Sequence, residues 1–143
     1  MSALRAFAAI RNRLLSSPTI VGFVGDRIQP THVVDVVDPV YPLITIALTD
    51  GRQAVWVPKT YDPGDILLQI WSQQQLDQEC YPIYEEVHAM LHNQKVRTSS
   101  SDACFHEIVE TFSNWGRWVP DSSVWVVDTR FRIRVSVPAG AGY

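Results

Sequence analysis

The chain has 143 residues, 46% of them hydrophobic and 19% charged, with a formal net charge of −3. That is the mix of an ordinary folded chain with one sizeable core, and it predicts a single domain over residues 1–143. It excludes a global positive field that would draw the whole chain onto nucleic acid, and no run of about 18 apolar residues exists to span a bilayer, so no membrane partner is expected.

In chain order, a first helix is predicted from about Ala3 to Leu15, with a core-facing stripe of Leu4, Phe7, Ala8, Leu14 and Leu15. It stops before Ser16-Ser17-Pro18, because a residue preceding proline avoids the helical region. The segment is also amphipathic, carries Arg5, Arg11 and Arg13, and meets no acid before Asp26. That is the composition of a transit peptide, a reading the core-facing stripe outweighs. A short helical turn, TIVGFVG, follows, and Gly25-Asp26 punctuates it. Pro30 to Pro42, with three prolines, reads as a loop.

YPLITIALTDG, Tyr41 to Gly51, is rich in β-branched residues and ends in a turn signal, so it predicts a strand. QAVWVPKTYDPGD reads as an extended arm on a protruding loop, with Asp62-Pro63-Gly64-Asp65 as a tight turn. Ile66 to Gln73 predicts the next strand. A helix then runs from Leu76 or Asp77 to His92, with Ile83, Tyr84, Val87, Met90 and Leu91 at helical spacing and Pro82 either at its start or as a kink. NQKVRTSSSD is a polar loop.

ACFHEIVETFS and SSVWVVDTRFRIRVSV, joined by NWGRWVPD, predict a long antiparallel hairpin. In the second strand Val127, Phe131, Ile133, Val135 and Val137 take one face, and Asp128, Arg130, Arg132, Arg134 and Ser136 the other. PAGAGY is expected to be a flexible tail from about residue 138. The order of elements lacks βαβ alternation. It predicts an α+β fold, a mostly antiparallel sheet of four to five strands with two helices packed on one face.

Chemistry has little to stand on. No G-x-S-x-G context surrounds a serine, and Gly22-Phe23-Val24-Gly25 lacks the Gly-Lys-Ser/Thr of a phosphate loop. Cys80 and Cys104 form no CxxC pair, which fits free thiols. His88 and His92 are spaced to share a metal on a helix, with Cys80 or Cys104 and His106 to complete it, but HAMLH lacks the zincin glutamate. Their competing reading is a helix C-terminus whose dipole favours imidazolium. Asp62 and Asp65 are a turn rather than a carboxylate pair, and adjacent Glu85 and Glu86 face different directions. No catalytic residue, metal or cofactor is expected.

Trp, Tyr and Arg dominate interface hot spots. Trp56, Tyr61, Trp115, Arg117 and Trp118 fall in loops or hairpin ends, and Arg130, Arg132 and Arg134 share a sheet face, so these eight are the candidate interaction residues. A single-stranded nucleic-acid platform is the competing use of the arginines, against which Phe131 points to the opposite face.

The order of features resembles the tail-completion or tail-terminator (head-tail joining) proteins of long-tailed bacteriophages. The resemblance is carried by a helix running into Val24-Gly25-Asp26-Arg27-Ile28 and Pro30, the strand entry Tyr41-Pro42-Leu43-Ile44, the strand Leu67-Leu68-Gln69-Ile70-Trp71, a helix ending near Leu91, and the hairpin finishing in Phe131-Arg132-Ile133-Arg134-Val135. It covers nearly the whole chain. It implies a non-enzymatic virion subunit that forms a hexameric ring, terminates the tail tube and joins it to the head and neck; a neck stopper or other minor tail protein is the nearest rival. The implied partners are further copies of itself, the tail tube protein and head-completion or stopper proteins of the neck. Genomic DNA would only pass through the lumen. The implied location is the virion, with the host cytoplasm during assembly. Unpaired strand edges and aromatic loops would supply the ring contacts. The arginines are expected to pair with Glu107 or Glu110 across the hairpin, or with acids of a neighbouring subunit.

Overall fold

Ser16-Ser17-Pro18 ends one helix and starts another. α1 (Ser2–Leu15) is built largely from Ala, Leu and Arg, all strong helix formers, and α2 (Pro18–Val24) begins directly behind it. Pro18 occupies the start of α2, where a missing N–H costs nothing, and the Ser17 hydroxyl caps it by accepting the Ile20 N–H at 3.3 Å. Gly25 closes α2 at φ 60°, in the left-handed region that favours glycine. The expected short turn is therefore a capped helix.

The computed structural model describes residues 2–30, 39–49, 62–97 and 104–136. Residues 31–38 of the predicted loop, the arm holding Trp56 and Tyr61, and the predicted tail lie outside the described residues. After α2 come β1 (Ile28–Pro30), β2 (Leu43–Thr49), β3 (Asp62–Ser72), α3 (Cys80–Leu91), β4 (Val96–Arg97), β5 (Cys104–Ser113), β6 (Arg117–Val119) and β7 (Val124–Ser136). The strands form one sheet in the order β1-β2-β3-β7-β5-β4, with β6 also paired to β7. β1 runs parallel to β2, and the other pairings are antiparallel. The predicted α+β class and mostly antiparallel sheet are found, with three helices rather than two and seven described strands rather than four or five.

Three boundaries differ for physical reasons. The turn expected at Asp62-Pro63-Gly64-Asp65 is strand: residues 62–64 pair with Val135, Arg134 and Ile133 of β7, whereas the β2 ladder reaches only to Asp65. Pro63 thus forfeits no ladder bond to β2, the circumstance in which a strand accepts proline. α3 starts at Cys80 rather than at Leu76 or Asp77, after a turn in which the Tyr81 N–H donates to the Leu76 carbonyl. Pro82 falls in the first helical turn, where an N–H would have no intrahelical acceptor and its absence costs no bond. The hairpin connector itself contains β6, so the chain reverses at Pro120–Ser123, with Ser123 at φ 53°.

Alternation sorts the sheet. Ile44 and Ile46 of β2, Ile66, Leu68 and Ile70 of β3, and Val127, Phe131 and Ile133 of β7 are buried against the helices. A register shift between Phe105 and Glu107 lets both Phe105 and Ile108 of β5 join them. From the helices come Ala9, Ile10 and Leu14, then Ile20 and Val24, then Cys80, Ile83, Val87 and Leu91. The α1 stripe is thus centred on Ala9, Ile10 and Leu14, with Phe7 and Leu15 partly buried beside it. The helices occupy one face, as predicted, and the arginines of β7 lie on the other.

The outer edge of β5 is closed by the end of α3. The Asn93 N–H donates to the Ile108 carbonyl at 2.8 Å, and the His92 ring accepts the Glu110 N–H on Nδ1 at 3.0 Å. Asn93 reaches this position at φ 59°, a conformation asparagine tolerates better than most residues.

Candidate interaction surface

On the helix-free face, one carboxylate organises four strands. Asp128 of β7 accepts from Gln69 Nε2 of β3 at 2.8 Å, from Asn114 Nδ2 at 2.7 Å and from Arg117 Nε of β6 at 2.9 Å. Thr45 of β2 continues the chain: its hydroxyl contacts Gln69 Oε1 at 3.4 Å and accepts the Trp71 indole N–H at 3.0 Å. Burial would push the Asp128 carboxyl up, but the hydrogen bonds from Arg117, Gln69 and Asn114 and the Arg117 charge outweigh it and hold the group below the usual carboxylate range.

The same network builds a platform for Trp115. Asn114 exchanges backbone and side-chain bonds with Asp128 and accepts the Gly116 N–H, while the Tyr81 hydroxyl donates to the Trp115 carbonyl at 2.6 Å. Gly116 sits at φ 112°, and a Cβ there would lie 2.6 Å from the Leu76 side chain, so the loop requires glycine. The result is an indole 87% exposed on a fixed backbone. Trp118 is 46% exposed and meets Trp125 edge to face at 5.2 Å. Trp115 therefore lies between β5 and β6, away from the hairpin tip.

The arginines read from the sequence are where alternation puts them. Arg132 reaches Glu107 Oε1 at 2.8 Å and Arg134 reaches Glu107 Oε2 at 3.5 Å, with side chains 58% and 62% exposed. Exposed Arg130 makes no ion pair among the described residues. The expected pairing with Glu107 is present; the alternative with Glu110 is not. Glu110, two residues on from buried Ile108, faces the helices opposite Phe131, and a register shift between Glu110 and Phe112 brings Phe112 to the arginine face, opposite Arg130. Phe112 is 51% exposed there and is not among the sequence candidates.

Glu110 instead accepts the Tyr84 and Thr129 hydroxyls at 2.7 and 2.8 Å, with His88 Nδ1 3.2 Å away and His92 stacked on His88 at 4.6 Å. This cluster ties α3 to β5. Among the described residues no three His, Cys, Asp or Glu side chains converge as a metal would need. Cys80 is withdrawn from any such site. Its buried thiol contacts the Ile70 carbonyl at 3.7 Å, and burial with the Glu79 charge pushes its pKa up to about 12. In a Cys104→Ser background, Cys80 is expected to resist maleimide at neutral pH in the native protein and to react fully in denaturant. Rapid native labelling would contradict its burial. A depression of about 140 Å³ lined by Asn93, Gln94, Lys95, Glu107, Ile108 and Val109 is smaller than the ~300–1,000 Å³ typical of small-molecule sites. No described helix is long and apolar enough to cross a membrane.

Among the described residues, fold and surface together define a class: three helices on one sheet, with a cationic sheet face beside rigidly held, exposed aromatics. Among solved structures, the fold is similar to a chain of the virion of the native gene transfer agent (GTA) particle, with a TM-score of 0.74 and 14% identity over 94% of this chain and 97% of that one. A second solved chain is similar at a TM-score of 0.56 and 12% identity, over 96% of this chain and 98% of that one. The likeness is one of fold. No protein-family model matches the chain, and no curated protein matches it.

Proposed function

We propose that this chain is a non-enzymatic structural subunit of a phage-like virion, and more narrowly a tail terminator: a ring, hexameric in this reading, that ends the tail tube and joins it to the head and neck. The carrying observation is the likeness in fold, over nearly the full length of both chains, to a chain of a gene transfer agent virion. The order of sequence features supports the narrower role. The whole chain acts as one domain. Trp56, Tyr61, Trp115, Arg117, Trp118, Arg130, Arg132 and Arg134 are the proposed contacts to other copies, tube and neck. The protein resides in the virion after assembly in the host cytoplasm, and DNA only traverses the lumen. A neck stopper or other minor tail protein uses the same ring logic at a neighbouring joint.

A second reading draws on Phe112, which puts an exposed ring beside Arg130 on the arginine face and so supplies the stacking partner that Phe131 cannot. It requires salt-sensitive binding to short oligonucleotides. The ring reading is tested by mass photometry and negative-stain imaging of the purified protein, alone and with isolated tails. Rings, and density at the head-proximal end of tails, are expected. Monomers under every condition, with no binding to tubes or neck proteins, would overturn it.

A further inference from the structure

Acidic and basic residues are unevenly spread along this chain. From Thr60 to Gln94 there is no Lys or Arg, while Asp62, Asp65, Asp77, Glu79, Glu85 and Glu86 all fall there. Part of this acid is internal: Glu79 and Glu86 accept the Ser72 and Ser17 hydroxyls. Asp77 and Glu85 are exposed. Glu85 stands with exposed Ala89 on the side of α3 away from buried Cys80, Ile83, Val87 and Leu91, so a small residue flanks the carboxylate and permits close approach.

On the opposite side of the sheet, Arg117, Arg130, Arg132 and Arg134 stand against Asp65, Glu107 and Asp128. Asp128 is occupied by Arg117, and Glu107 is shared by Arg132 and Arg134. Asp65 lies in register with Arg132. The uncompensated charge is therefore concentrated at Arg130, next to half-exposed Phe112, in a chain whose net charge is −3.

We infer that the β7 face around Arg130 and Phe112 docks the outer ridge of α3, at its exposed Glu85 carboxylate, of a second copy of this chain. The inference rests on the ring reading and says which two surfaces meet. Because the ridge and the arginine face lie on opposite sides of the sheet, they cannot meet within one chain. Each copy offers one to the neighbour on its left and the other to the neighbour on its right. Such a contact is heterologous and closes into a ring when the rotation divides a full turn. Opposite charge sets the register of the encounter, and Phe112 supplies apolar contact beside it.

The test uses Arg130→Glu and Glu85→Lys, two exposed positions, under the conditions in which the wild-type protein assembles. Circular dichroism and melting curves establish that both variants keep the fold. Each single reversal is expected to raise the concentration for half-assembly at least about tenfold. An equimolar mixture of the two is expected to assemble again. In an alternating ring the two reversed side chains face each other at one joint, the two native ones face each other at the next, and every joint again pairs opposite charges. Assembly unchanged by either reversal, or no recovery in the mixture, would overturn the inference and leave the ring reading standing. Intact assembly with loss of binding to tails would assign the face to a tube or neck protein and also overturn it. Failure of the wild type to form rings even with tails present would overturn both.

Discussion

Phe131→Ala is expected to lower the free energy of unfolding by about 4 kcal/mol, the cost of removing a large aromatic from a well-packed interior. Phe131 is fully buried at the centre of β7, flanked in register by Ile66 of β3 and Glu110 of β5, so the lost ring opens a void between the sheet's central strands and the helices. The neighbouring substitution Arg132→Ala, one residue along the same strand, provides the contrast. Its pair with Glu107 is largely exposed and contributes at most about 1 kcal/mol. Urea titration of both variants measures the difference. A loss below about 1 kcal/mol for Phe131→Ala would mean that the side chain is not the packed centre described above.

Asp128→Ala is expected to cost about 3 kcal/mol, because hydrogen bonds to a charged acceptor are worth more than neutral ones and the donors of buried Gln69 are left unmet. Arg117 contributes least, since its side chain is 48% exposed and screened by solvent. The effect has a pH signature. The carboxyl is held below its ordinary range in the folded protein, so the unfolded chain takes up a proton first as pH falls. The stabilisation is complete above roughly pH 4 and is lost as pH falls through the depressed folded value. The gap between wild type and Asp128→Ala should therefore shrink on acidification. A gap that persists undiminished at low pH would assign the stabilisation to packing rather than to the carboxylate.

How far the sequence could be read depends on which interactions are local. Alternation placed Arg130, Arg132 and Arg134 on one face and Phe131 and Ile133 on the other, because side-chain direction follows from strand geometry alone. The same rule fails at a bulge. Glu107 and Glu110 are three apart, so alternation by itself puts them on opposite faces and sends Glu110 toward Tyr84, whereas the shift after Glu110 brings Phe112 rather than Thr111 to the arginine face. Nothing in TFS announces that shift. Asp62-Pro63-Gly64-Asp65 carries the local chemistry of a turn, yet a long partner strand overrides it. Asp128 could be placed on the polar face by counting. Its role as acceptor for three side chains required β3 and β6 to be in position.

The closing of the β5 edge bears on how copies of this chain can join. A bare strand edge invites backbone pairing with another chain, the route to open-ended aggregates. Here the Ile108 carbonyl and Glu110 N–H already have partners in Asn93 and His92. At the far end of the sheet, β1 is three residues long and finishes on Pro30, which has no N–H to offer. Strand addition, one of the two materials expected for a ring beside aromatic loops, is thus discouraged along β1 and along this stretch of β5. In the ring proposed above, union would fall to side-chain surfaces, whose geometry can end growth at a fixed number of copies.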